Sequence, residues 1–394
     1  MRVPGSLLLS AALLLPAPGP IPVGDREDGG SSASPGPAAK VTREQQEAID
    51  LGLRFLANAQ DPSGGFPTKS GPSGPAKSAD YQTAVTALSV LAFLGAGHGL
   101  SHGPYSATVS RGVQWLLRAQ QPDGFIGFGN DDQSKMHGHG FATLALAEAY
   151  GTATGSRTPE TGGRDQKARD LHDLSIRLEK GVQDAVTLIE AAQAEVGGWD
   201  YFRSSGGKSD HEGSVTVCQV QALQAASNRG FRVSRGRIDK ARDYMRKSQI
   251  ELGRACGAFK YKLSQESVDD PRQYTYALAA AGVTSLVGLG DYGRRKAVQD
   301  GIAFMQKKFA VPDQQTTPYF FYGSFYAVQA FHWTGGEGWE RFWVPMRRNL
   351  LNAQTEDGSW IGRDTQVDLG RVYPTAFTLL MLEVPVEYLS IFAK

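Results

Sequence analysis

The chain has 394 residues, with 41 Lys and Arg against 40 Asp and Glu, for a formal charge of +1. That balance excludes a nucleic-acid binder that works through bulk positive charge, and two Cys exclude a disulfide scaffold or a four-Cys zinc module. The 47 Gly show no three-residue period, which excludes collagen and assigns the excess to turns.

At the start of the chain Arg2 is followed by an apolar run over 7–15, which Pro16, Pro18 and Pro20 then break. A basic start and a short apolar core read as a signal peptide over 1–22, so the protein is expected to be exported to the periplasm or the extracellular space. The run is too short to span a bilayer, and no later segment suits a stable membrane span. Residues 23–40 are Gly, Ser, Pro and charge, and read as a disordered linker.

From residue 41 one phrase recurs: a helical stretch ends in Gln, then Gly and an aromatic residue follow. Gln60 precedes Gly64-Gly65-Phe66, and Gln120 precedes Asp123-Gly124-Phe125. Gln193 precedes Gly197-Gly198-Trp199, and Gln249 precedes Gly257-Ala258-Phe259. Gln306 is a weaker copy without the Gly-aromatic end, and Gln354 precedes Asp357-Gly358-Ser359-Trp360. Each phrase leads into a second helical stretch that is apolar on most faces, at 83–94, 141–150, 214–226, 274–289, 324–331 and 375–382. The reading is all-α, about six helical hairpins with polar helices outside and apolar helices inside. Gly past a helix end supplies a left-handed cap, and the Gln amide can bond loose backbone groups at the turn. Residues 152–178 carry many charges and few large apolar residues, and read as an insertion. The Gly288-Leu289-Gly290-Asp291-Tyr292-Gly293 phrase matches a dinucleotide fingerprint, but a long apolar helix precedes it, so it reads as a helix C-cap and turn.

This pattern resembles the prenyltransferase and squalene-cyclase repeat superfamily, known for its Gln-Trp motif, over about residues 41–394. Gly138-His139-Gly140-Phe141 and the ending from Tyr373-Pro374-Thr375 to Ile391-Phe392 resemble exported bacterial proteins named for a squalene-cyclase C-terminal domain. The resemblance implies an α/α toroid: parallel inner helices, an outer layer, and a central cavity open at one end. The inner-helix N-termini would then share that end, each presenting free N–H groups and partial positive charge. The residues just before the inner helices become the site candidates: His139, His211, Tyr274, Tyr319, Phe321, Tyr322 and Tyr373 as ligand-binding groups, and Asp210 and Glu212 as acids.

The cyclase branch protonates an alkene with the central Asp of Asp-x-Asp-Asp-Thr-Ala. The nearest match is Asp210-His211-Glu212-Gly213-Ser214-Val215, with Glu212 in the donor position and Gly213 where the last acid would be. Acids at a helix start are also ordinary caps. The transferase branch holds zinc through Asp, Cys and His; its Asp-x-Cys spacing is absent, although His137, His139, Cys218 and Cys256 are present. Export would leave Cys218 and Cys256 able to pair as a disulfide instead. No metal site and no cofactor are expected. The expected partner is an apolar, isoprenoid-like or lipid molecule, with no nucleic acid. Two alternatives stand beside it: a terpene cyclase or isomerase with Glu212 as acid and Asp210 as its partner, and a cell-surface glycan-binding or scaffold toroid. A cavity lined by Tyr and Phe favours lipid; one lined by Arg, Asp and Trp favours sugar.

Overall fold

The computed structural model describes residues 41–68, 81–128, 132–153, 166–203, 211–264, 274–291, 296–309, 311–362 and 369–393. The signal and linker segments lie outside them, as does Asp210. Among the described residues there are twelve α-helices: α1 (Arg43–Ala59), α2 (Gln82–Gly95), α3 (Ser106–Arg118), α4 (Lys135–Ala153), α5 (Gln166–Ala192), α6 (Gly213–Asn228), α7 (Arg235–Ser248), α8 (Tyr276–Gly288), α9 (Lys296–Lys308), α10 (Phe320–Thr334), α11 (Gly336–Asn352) and α12 (Val372–Glu383). None is long and apolar enough to cross a membrane.

The even-numbered helices make a closed ring. Helix α2 packs on α4, α4 on α6, α6 on α8, α8 on α10, α10 on α12, and α12 returns to α2. The odd-numbered helices form the outer layer, and α11 meets α1 where the ring closes. Composition sorts the layers. Helix α2 is buried at every residue from Thr83 to Gly95, whereas α3 buries only one stripe that includes Val109, Val113 and Leu116. A helix apolar all round is stable only when neighbours cover every face. The inner spans sit where the sequence puts them, and α8 ends at Gly288 with Gly290 in the left-handed region, so that Gly-rich phrase is a C-cap. Residues 166–178 of the expected insertion form the first half of α5, which buries Leu174, Ser175 and Leu178 along one stripe.

The repeated Gln is the joint between hairpins. Its side-chain amide donates to the carbonyl of the Gly in its own turn and to a carbonyl of the next outer helix. Gln60 reaches Gly64 and Thr108, both at 3.0 Å, and Gln120 reaches Gly124 and Gly181. Gln193 reaches Gly197 and Arg237, and Gln249 reaches Gly257 and Ala297. Gln354 reaches Gly358 and, across the ring closure, Ala48 of α1. The inner helix completes the joint by accepting the N–H of the turn's aromatic or its neighbour. Thr86 accepts from Phe66, His139 Nδ1 from Ile126, Thr216 from Trp199 and Thr375 from Trp360, all at 2.9–3.2 Å. The fifth hairpin lacks this plug. There a cleft of about 430 Å³ lies between the connection after α9 and the end of α11, beside Asp313, Gln314, Asn349 and Asn352.

The C-terminal segment covers the end where the inner helices finish. Leu389, Ile391 and Phe392 are buried. The Ser390 N–H and hydroxyl both donate to Glu148 of α4, whose other oxygen pairs with Arg229. Trp333 of α10 donates to the Phe392 carbonyl, and Tyr388 lies over Gly97 beyond α2. The C-terminal segment thereby closes one end of the ring.

Candidate functional site

At the inner-helix N-terminal end, Glu212 sits immediately before α6 and is buried. A backbone bridge to Lys262 sets its position. Its carboxylate accepts the Tyr261 hydroxyl and lies 3.6 Å from the Lys262 ammonium. The Tyr261 and Tyr201 hydroxyls are 3.2 Å apart. The Tyr201 ring lies 5.2 Å from that of His137 on α4, and His137 faces Tyr322 of the opposite helix α10 at 6.2 Å. Tyr322 donates to the Ser214 carbonyl at 2.6 Å. A continuous band of hydroxyl, imidazole and carboxyl groups therefore runs from the rim to the ring axis.

Burial governs the protonation of this band. Loss of hydration raises the Glu212 pKa, and the Tyr261 and Tyr201 hydroxyls and Lys262 oppose the rise by favouring the charged form. The Tyr201 and Tyr261 hydroxyls are pushed up by burial, so both remain donors. Loss of hydration lowers the pKa of half-buried His137 to about 4, so the imidazole is neutral near pH 7.

Below this band, side chains occupy the axis. Tyr322 packs on Tyr326, and Tyr326 on Phe325. Phe325 meets Phe377 of α12, which meets Phe141 of α4 and, one turn nearer the mouth, Tyr373. Cys218 of α6 touches the Tyr326 hydroxyl at 3.5 Å, and burial pushes its thiol up to about 12. At this depth aromatic rings occupy the place of the expected cavity.

The sequence candidates separate by direction. Glu212, Tyr322 and Tyr373 belong to the mouth or its floor. His139 does not. Positions two apart on a helix point roughly 200° apart, so His137 meets the axis while His139 turns outward, stacks on Phe125 and caps the turn at Ile126. Burial lowers its pKa to about 4, consistent with an acceptor Nδ1. His211 lies toward the outer layer, where its carbonyl accepts the Tyr244 hydroxyl at 2.8 Å. Tyr274 packs against Phe304 of outer helix α9. Phe321 is buried edge-on to Phe320, in the wall of a small cleft it shares with Leu350 and Trp360. Tyr319 is exposed on the rim with φ +55°. Cys218 and Cys256 are both free, the first in the core and the second bonded to the Glu251 carbonyl, so the alternative disulfide does not form. Among the described residues no group of three or more His, Cys, Asp or Glu could hold a metal ion.

Three contributors escaped the sequence reading: Tyr201, Tyr261 and Lys262. They come from connections without helical period. Their only signal was position: Tyr201 two residues after Trp199, and Tyr261 and Lys262 two and three residues after Phe259. Backbone conformation adds one further mark. Of four non-Gly residues with positive φ among those described, Tyr81, Lys135 and Tyr319 lie at inner-helix starts on this rim. Such conformations cost about 1–3 kcal/mol and persist where the surroundings enforce them.

No protein-family model matches the chain, and no curated protein sequence matches it. Solved structures do. A variant of the type II terpene cyclase MstE from Scytonema, in complex with geranylgeranyl dihydroxybenzoate, is similar at 13% identity and a TM-score of 0.55, over 90% of this chain and 99% of that one. The apo form of MstE is similar at 14% identity and a TM-score of 0.54, over 88% and 100%. An inactive variant of the α-1,6-mannanase GH76A of Salegentibacter sp., in complex with α-1,6-mannotetrose, is similar at 10% identity and a TM-score of 0.55, over 86% and 98%. What these proteins share with the chain is architecture, and the chain is an α/α toroid.

Proposed function

We propose that the mouth of the toroid binds an apolar, isoprenoid-like molecule, whose polar end meets Glu212 and Tyr261 and whose chain lies on Tyr201, Tyr322 and Tyr373. One observation carries the reading: apart from Glu212 and Lys262, the described side chains of the band and floor are Tyr, Phe and His, while the Trp residues are used elsewhere. Trp199 and Trp360 are locked in joints through Ile189 and Leu350. Trp339 and Trp343 stack on each other within α11, Trp115 is buried in α3, and Trp333 serves the closed end. Sugar sites generally present exposed aromatic faces beside several polar groups, and the described residues here place one buried carboxyl, next to Lys262, among phenols. The occupied axis argues for a ligand that lies across the mouth rather than one enclosed deep in the ring.

A proton-transfer role for Glu212 is a second reading of the same site. The buried carboxyl with its raised pKa favours it. The N-terminal segment over 1–22 supports an exported protein.

Thermal unfolding with added geranylgeraniol tests the proposal against neutral mannotetraose. Geranylgeraniol should raise the midpoint, as any ligand of the native state alone must, and mannotetraose should leave it unchanged. The reverse pattern would assign the mouth to glycans, and no response to either would remove the isoprenoid reading.

A further inference from the structure

The cleft at the fifth joint lies where the other joints hold their Gly-aromatic turn. Four of those turns keep one register. Gly64, Gly124, Gly197 and Gly358 press on the carbonyls of Arg111, Asp184, Lys240 and Leu51. These stand nine residues before Gln120, Gln193, Gln249 and Gln60, each on the next outer helix. One helical turn further on, five residues before Gln120 and Gln249, Trp115 and Tyr244 cover Gly65 and Gly198. The aromatic residue of each turn, such as Phe66 or Trp199, is buried in its joint.

In α11 the residue five before Gln354 is Asn349. It lines the cleft of about 430 Å³ with Asn352, Asp313 and Gln314, a volume in the range of small-ligand sites. The connection facing it, residues 309–319, contains no Gly. Its two aromatic residues lie elsewhere: Phe309 packs on Tyr276 and Phe304, and Tyr319 is exposed on the rim. The smaller cleft shares Asp313, Gln314 and Asn349 and adds an apolar floor of Phe320, Phe321 and Trp360. Asp313 is the one charged residue among the described lining, and its carboxylate takes the Gln315 N–H at 2.8 Å. The cleft therefore selects for a ring and a backbone rather than for charge. Its floor suits an aromatic side chain, and its amide walls can both donate to and accept from peptide groups. The chain has no spare ring to place there. Outside the described residues only Tyr292 is aromatic, and α9, 13 residues and about 20 Å long, separates it from the cleft.

We infer that the fifth joint is a recognition site for an extended peptide of a partner protein, which supplies the turn and the aromatic residue that this hairpin lacks. The site does not depend on the ligand of the mouth. A fluorescein-labelled heptapeptide, Ala-Glu-Val-Gly-Gly-Trp-Asp, copies residues 194–200 and is the probe for fluorescence anisotropy with the full chain. It should bind, and the same peptide with Ala for Trp should bind at least about tenfold more weakly. Asn349→Ala/Asn352→Ala, at two exposed positions, removes the amide walls and should weaken the probe about tenfold. Ala353→Trp, which fills the cleft from its half-buried edge, should abolish binding. Asn58→Ala, the exposed counterpart of Asn352 in α1, should bind as the parent does. No binding by the parent, or equal binding by the parent and the double variant, would overturn the inference. So would N-acetyltryptophanamide binding as tightly as the peptide, which would leave a pocket for a ring alone. A dimer in the absence of peptide that the double variant loses, seen by light scattering, would make the occupant a second copy and also overturn it.

Discussion

Gly197→Ala should destabilise the protein by about 3 kcal/mol or more, while Gly230→Ala should cost only about 1 kcal/mol. Both glycines have positive φ, +101° and +84°. They differ in surroundings. A Cβ at Gly197 would run into the Lys240 carbonyl oxygen of α7 and crowd Tyr244, whereas one at Gly230 would meet nothing. Gly197 also sits inside a joint, where the Gln193 amide spans its carbonyl and that of Arg237. Adding a methyl group must push the turn off α7 and stretch both bonds. The same crowding faces Gly64 at Arg111, Gly124 at Asp184, Gly257 at Asp300 and Gly358 at Leu51. Denaturant unfolding of the two variants measures the contrast. Equal losses would mean that backbone strain alone, and not the joint, fixes these glycines.

Glu383→Gln should stabilise the protein at neutral pH, with the gain vanishing near pH 4. Glu383 ends α12, is wholly buried, rests against Gly95 of α2, and neither carboxyl oxygen has a hydrogen-bond partner. Burial holds its pKa well above the usual value of 4.5. The folded state therefore binds this proton more tightly than the unfolded state does. Its contribution is fully present below the ordinary carboxylate pKa, and stability falls as the pH rises above it, by about 1.4 kcal/mol per unit while the folded form stays protonated. A Gln has no proton to keep. Unfolding free energies of parent and variant from pH 4 to 7 should diverge with that slope. A difference independent of pH would contradict the assignment of a buried neutral carboxyl.

The architecture was legible because its causes are periodic. Helices apolar all round, such as 83–94, can only be inner helices, and a Gln followed by Gly and an aromatic marks each joint. The second half of each joint was not legible. That the Gln amide reaches the next outer helix is a long-range fact, as the bond from Gln354 to Ala48 shows. The helix over 166–178 was not legible because its charged residues hide a sparse stripe at Leu174 and Leu178. In the site, Glu212 could be found from its place before an inner helix. Its partners could not, because Tyr201, Tyr261 and Lys262 sit in connections whose paths are set by tertiary packing. The direction of His139 was not legible for a simpler reason: adjacency to an inner-helix start does not say which way a side chain points, and rotation around the helix turns His137 to the axis and His139 to the joint.

The central claim is that an apolar ligand lies across the mouth beside Glu212. A geranylgeraniol carrying a diazirine at the far end of its chain, photolysed on the full-length protein and mapped by peptide mass spectrometry, tests it most directly. Peptides that contain Tyr201, Tyr322 or Tyr373 should be labelled, and unlabelled geranylgeraniol should compete the labelling away. Competable labelling confined to the outer helices or the closed end near Phe392, or no competable labelling at all, would contradict it.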